Sequence, residues 1–255
     1  MNVLTDERYQ LILNLLEQQE IVKTQEIIDK TGSSESTIRR DLNTLEDQGL
    51  CVRVHGGAKR TTKPRNLQSE LEMEIKSSLF TEDKKKIAQL AASLIVDGDV
   101  IFLDAGTTTY EMIPLLKMKA ITVVTNGIPH ANLLTDLKVS TILLGGKIKT
   151  QTKATIGSVC LQQLRQYRFS KSFLGMNGVD FLCGYTTPDI EEAIIKRTAI
   201  SHASKAYVLA DVSKFKEVSF TKVADLDECE IITHHADQKI RTLFKQKTNI
   251  WEESI

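Results

Sequence analysis

The residues with the most chemistry to offer fall into two groups. In the first, "SESTIRRDLN" gathers Ser36, Thr37, Arg39, Arg40 and Asn43 within one short stretch. Arginines fork onto guanine edges or phosphate oxygens, and hydroxyls donate to phosphate, so this is chemistry for a nucleic acid. In the second, "VIFLDAGTTTYEM" sets Asp104 just ahead of Gly106, Thr107, Thr108 and Thr109. Backbone amides and three hydroxyls at a helix start make a cradle for an anion such as phosphate. Neither a Gly-Lys-Ser/Thr nor a GxGxxG pattern accompanies it, which disfavours nucleotides and calls for no cofactor.

More polar residues follow later apolar runs: Asn126 and Gly127, Gly146 and Lys147, Asn177 and Asp180, Thr187, then Glu192 and Lys196 on one helix, and Lys214. Hydroxyls, amides, carboxylates and lysines converging on a cleft suit a phosphorylated polyol or sugar. A plainer reading stands beside each. The arginines could form a solvated helix face, the threonines a capped glycine turn, and Glu192 with Lys196 an ordinary i,i+4 surface pair. His130, His202, His234 and His235 read as structural or exposed, and the four cysteines lack metal-ligand spacing, which implies reduced thiols and no metal.

The elements that must position these groups can be read from periodicity. Thr5 can cap a helix that buries Tyr9, Ile12, Leu13 and Leu16; a second helix fits Thr24 to Lys30 and stops at Gly32. A third starts at Ser33 or Ser34 and runs toward Gly49 with Ile38, Leu42 and Leu45 inward. Its opposite side then carries Ser36, Arg40 and Asn43, with Arg39 at the flank. That layout is a helix-turn-helix, whose last helix enters the DNA major groove. "LCVRVHGG" alternates like a wing hairpin and brings Arg53 and His55, and "AKRTTKPRN" reads as a linker.

From Asp99 onward, "VIFLDAG", "ITVVTNG", "TILLGG", "SFLGMNG" and "YVLAD" are short apolar runs between helical segments. They predict an α/β sheet whose strand ends share one polar rim. The domains expected are therefore 1–58 as a winged helix-turn-helix, 59–75 as a linker and 76–255 as an α/β sensor. The balance of 33 basic and 33 acidic residues exerts no global pull toward DNA or a membrane, so any anion site must be local. No apolar run approaches the roughly 20 residues that span a bilayer, and no secretory signal opens the chain, so a cytosolic protein without a membrane partner is expected.

"ERYQLI", "SESTIRRDLNTLEDQGL" and "RVHGGA" together resemble the winged helix-turn-helix signature of the DeoR family of bacterial transcription regulators. The second half is similar to the sensor domain of that family, which shares its fold with ribose-5-phosphate isomerases. The resemblance implies operator DNA and a phosphorylated sugar as partners, a homo-oligomer, and no catalysis. The set "DAGTTT", "TNG", "FLGMNGV", "GYTTPD", "EEAIIK" and "LADVSKF" looks like the fructose operon repressors of Gram-positive bacteria, whose implied effector is fructose 1-phosphate. A surviving isomerase would need a base and an acid, for which Glu192 and Asp180 are the one pair to nominate. An activator instead of a repressor is also compatible with the sequence.

Overall fold

The computed structural model describes residues 5–47, 50–60, 67 and 73–252. The expected stop at Gly49, most of the linker with Lys63 and Arg65, and the last three residues lie outside them. Two compact units divide after Phe80.

In the first unit, α1 (Thr5–Gln18), β1 (Ile21–Lys23), α2 (Thr24–Thr31) and α3 (Glu35–Asp47) precede a hairpin of β2 (Cys51–Val54) and β3 (Gly57–Arg60). Ile12, Leu15 and Leu16 of α1, Ile27 of α2, and Ile38, Leu42 and Leu45 of α3 close one core with Val22, Cys51 and Ala58. Lys59 and Arg60, read as the start of the linker, instead finish β3, paired with Ile21 and Cys51. A strand with one solvated face needs few apolar residues, so its polar composition concealed it. β1 was unforeseen and converts the hairpin into a three-stranded sheet in the order β1-β3-β2. Gly57 permits that closure, because a Cβ there would stand 2.1 Å from the Val22 carbonyl oxygen. A short α4 (Met73–Ser78) ends the unit, across the boundary expected at 75/76.

The second unit opens with α5 (Thr81–Ser93) and alternates strands and helices thereafter. β4 (Val100–Leu103), α6 (Thr107–Tyr110), β5 (Thr122–Thr125), α7 (Ile128–Asp136) and β6 (Ser140–Leu143) come first. A hairpin of β7 (Lys147–Lys149) and β8 (Ala154–Ile156) follows, then α8 (Ser158–Leu164) and β9 (Phe169–Gly175). Next are β10 (Gly178–Asp180), β11 (Gly184–Thr187), α9 (Ile190–Ser201), β12 (Ala203–Leu209), β13 (Thr221–Ala224), β14 (Glu230–Ile232), α10 (Gln238–Phe244) and β15 (Ile250–Trp251).

Seven strands form one sheet in the order β15-β14-β12-β9-β4-β5-β6, every pairing parallel. All five expected runs are in it. Strands buried on both faces read as continuous apolar runs, which is why they could be found. From β4 the chain winds outward one way through β5 and β6, and from β9 the other way through β12, β14 and β15. The order therefore reverses between β4 and β9. At such a switch point the loops leaving adjacent strand ends diverge and open a crevice. β10, β11 and β13 make a small separate antiparallel sheet.

Candidate functional sites

In the first unit, α3 presents its N-terminal end to solvent. Ser34 Oγ accepts from Thr37 N at 3.3 Å and meets the hydroxyls of Ser36 and Thr37 at 2.9 and 2.8 Å, a hydroxyl cluster that caps the helix. Ser36, Arg39, Arg40 and Asn43 are exposed, and Thr37 is half-buried. Arg39 meets Glu35 at 2.6 Å in an exposed i,i+4 pair, an interaction weak enough for phosphate to displace. In the wing, Arg53 donates its backbone N–H to Glu46 at 2.7 Å, and His55 is exposed at the turn. Sequence reasoning missed Arg8 and Asp41. They form a buried ion pair, Nε to Oδ2 2.7 Å, that ties α1 to α3 beneath the exposed face.

The second constellation lies at the switch point. Asp104, the first residue after β4, accepts from Gly175 N at the end of β9 at 3.1 Å, so the crevice is stitched across the reversal. Lys196 of α9 donates to the same carboxylate and, at 3.0 Å, to the Gly175 carbonyl. Both side chains are almost fully buried. The i,i+4 surface pairing considered for Lys196 is thereby corrected: the fold gives it Asp104. Glu192, on the same helix, is also buried, and accepts from Thr152 Oγ1 at 2.7 Å and Lys149 Nζ at 3.3 Å. Lys149 also meets Asp189, whose carboxylate caps α9 by accepting from Glu192 N at 3.0 Å.

The loop after β4 is braced from within. Thr109 Oγ1 donates to the Asp104 carbonyl at 2.6 Å and accepts from Gly106 N at 3.0 Å, so this hydroxyl is committed to shaping the loop. Asn126 takes the Ala105 N–H on Oδ1 at 3.2 Å and donates through Nδ2 to the Thr155 carbonyl at 3.2 Å. Thr107 and Thr108 are left to offer hydroxyls, and α6 is a single turn, so hydroxyls and loop amides outweigh any helix dipole. Asn177 accepts from Thr187 Oγ1 at 3.1 Å, two residues beyond Gly175.

Gly146, Lys147, Asp180 and Lys214 make their contacts elsewhere. Gly146 turns the chain before β7, and Lys147 pairs with Glu191 at 3.6 Å on the surface. Asp180 is bent into its own turn and accepts from Leu182 and Cys183 amides at 2.9 and 2.8 Å. Burial raises the Asp180 pKa, but these amides outweigh it and hold the carboxyl below its ordinary value. Lys214 follows β12 and faces Asp211, a buried carboxylate whose pKa burial raises and Lys214, Lys84 and Ser213 together lower. The acid–base pair nominated for an isomerase, Glu192 and Asp180, is thus divided between different partners.

His130, read as structural or exposed, is buried and is the brace under the loop. Its Nε2 lies 3.1 Å from the Gly106 carbonyl and 3.2 Å from Thr109 Oγ1, and the ring packs edge-on against Tyr110. A carbonyl only accepts, so Nε2 carries the proton and Nδ1 is bare. Nδ1 has no partner and points at Gly127, where a Cβ would lie 2.5 Å from it. Gly127→Ala is therefore expected to push His130 out of place and cost about 1–3 kcal/mol by overpacking, read by chemical denaturation. A variant as stable as the parent would show that the histidine yields freely.

Complete burial lowers the His130 pKa to about 4 from its ordinary 6.5, with the Asp104 carboxylate opposing. Below pH 6.5 the unfolded imidazole takes up a proton that the folded one refuses until about 4. Stability should fall by roughly 3 kcal/mol as the pH drops through that window. His130→Gln should remove that part of the pH slope, and an unchanged slope would assign it to other groups.

A winged helix-turn-helix joined to a parallel α/β unit with a polar switch-point crevice is the architecture of a DNA-binding regulator with a ligand-sensing half. Residues 8–63 match the DeoR-like helix-turn-helix domain and residues 80–235 the DeoR C terminal sensor domain. The chain belongs to the DeoR family of transcription regulators and is not an enzyme. It is 50% identical over 247 residues to the uncharacterized HTH-type transcriptional regulator FruR of Bacillus subtilis, covering 96% of this chain and 97% of that one. It is 36% identical over 230 residues to a lactose phosphotransferase system repressor of Staphylococcus epidermidis, covering 89% and 90%. Ribose 5 phosphate isomerase A from Neisseria gonorrhoeae aligns over 53% of each chain at 17% identity with a TM-score of 0.39. Among the described residues, no helix is long and apolar enough to cross a membrane.

Proposed function

We propose that this regulator represses a sugar-utilisation operon, that of fructose, and releases its operator on binding a phosphorylated sugar, fructose 1-phosphate. The observation that carries the sensing half is the β4/β9 reversal, where a braced loop sets the half-buried Thr107 and the buried Thr108 beside the buried Asp104–Lys196 pair. The phosphate sits on Gly106 to Thr109, and Asp104, Asn126, Gly127, Asn177, Thr187, Glu192 and Lys196 shape the sugar pocket. Gly146, Lys147, Asp180 and Lys214 are its outer contacts. In the other half, Arg39, Arg40 and Asn43 read or grip DNA, Ser36 and Thr37 position phosphate, and Arg53 and His55 act from the wing.

The fructose assignment rests on the motif set from "DAGTTT" to "LADVSKF", and repression on the kinship with the phosphotransferase-system repressor. Homo-oligomerisation belongs to the same proposal, and a two-fold protein would call for an operator of two matching half-sites. An effector must bind the DNA-free conformer more tightly, because equal affinity shifts nothing.

The test is operator binding by fluorescence anisotropy, with DNA from upstream of the fructose operon, against fructose 1-phosphate, fructose 6-phosphate and free fructose. Release by the 1-phosphate alone is expected. The same ligand should raise the thermal midpoint, by about 2.7 kcal/mol of stabilisation at a hundredfold excess over Kd. Release by a different sugar phosphate would change the pathway, and indifference to all of them would end the sugar-phosphate proposal.

A further inference from the structure

We propose that Asp83, His234 and His235 form a binding site for a divalent transition metal of the Zn²⁺ type, with at least one coordination position left for water or a small ligand. The three residues stand at the same C-terminal rim of the parallel sheet as the switch-point crevice, but on a different strand. Asp83 lies in the first turn of α5, and the two histidines follow β14, which β12 separates from β9. The proposal does not depend on the sugar-phosphate reading, and either can fail alone.

The backbone is what brings the imidazoles together. Thr233 still bonds as a sheet residue, its N–H donating to the Trp251 carbonyl at 3.0 Å. Continued in extended form, the chain would send His234 and His235 to opposite faces. Instead His235 adopts φ +56°, in the left-handed region that non-glycine residues seldom enter. The two rings end up with centroids 3.9 Å apart at 45°. One donor atom from each histidine and one carboxylate oxygen of Asp83 all lie within 4.8 Å of one another. Ligand atoms around a tetrahedral ion with bonds of 2.0–2.1 Å sit about 3.4 Å apart, so side-chain rotations would have to draw the donors together by up to about 1.4 Å.

The chemistry of the donors selects the ion. Two imidazoles and one carboxylate suit zinc, nickel, cobalt or ferrous iron, whereas magnesium and calcium require more oxygen ligands than are gathered here.

The experiment uses the full-length chain, stripped with a chelator and titrated with Zn²⁺ by calorimetry and with Co²⁺ by visible absorption. One equivalent should bind, and cobalt should develop the d–d bands of a low-coordinate nitrogen–oxygen site. Disturbing a hydrogen-bond partner of a metal ligand already costs about 10–100-fold in affinity, so His235→Asn and Asp83→Asn should each lose at least tenfold. Asparagine tolerates the left-handed backbone, and circular dichroism without metal checks that each variant folds. His202→Gln, elsewhere in the same unit, should bind as the parent does. Absence of equimolar binding at micromolar metal, or binding unaffected by both substitutions in folded protein, would overturn the site.

Discussion

Asp104→Ala is expected to destabilise the C-terminal unit by about 3–5 kcal/mol, because it strands the Lys196 ammonium in the interior. The Asp104 and Lys196 side chains are 4% and 8% exposed, and the two groups, 92 residues apart in sequence, are joined across the sheet reversal. Had Lys196 been held in an exposed helix pair, truncating its partner would cost only about 0.3–0.5 kcal/mol. Denaturation followed on the C-terminal unit separates the two magnitudes. Asp104→Leu combined with Lys196→Met removes both charges and should recover most of the lost stability. Under the function proposed above, that double variant should still bind operator and should no longer release it with fructose 1-phosphate. A single variant within 1 kcal/mol of the parent would mean that water reaches the lysine, and the crevice would then be more open than the geometry indicates.

The same pair marks where reading the sequence stops. The five longer strands of the parallel sheet were visible because each is an apolar run closed by Gly, Asn or Asp. β14 and β15 have three and two residues, too few to display any period. Helix spacing correctly put Glu192 and Lys196 one turn apart, but periodicity carries no information about what lies across the sheet, and the fold gave them separate partners. Lys149 and Thr152 sit in "KIKTQT", whose lone apolar residue, Ile148, is exposed, yet both reach the carboxylate of Glu192. His130 was legible in "IPHANLL" only as structural or exposed, like the other three isolated histidines. Its place beneath Gly106 and Thr109 depends on α7 packing beside the β4 loop, which no local pattern encodes.

In the N-terminal unit the exposed face was read correctly in outline and the support beneath it was not. "TIRRDL" presents three charged side chains in a row, and only geometry separates their tasks. Arg39 and Arg40 are exposed, whereas Asp41 turns inward and accepts from Arg8 through both carboxylate oxygens, at 2.7 and 3.2 Å. Asp41→Ala should therefore lower the stability of this unit by about 3–5 kcal/mol, since a buried guanidinium loses its counter-charge. In so small a unit that is a large share of the total, and operator binding should be lost along with the fold. Arg40→Ala touches nothing buried and should leave the melting profile unchanged. It should still weaken operator binding by about 1–3 kcal/mol if Arg40 reads a base, with relaxed specificity at that position. Measured side by side, melting and anisotropy should give opposite patterns: Asp41→Ala fails in both, Arg40→Ala in binding alone. An Arg40→Ala protein that holds operator normally would remove that side chain from the proposed interface, and an Asp41→Ala protein that melts like the parent would show that Arg8 finds solvent once its partner is gone.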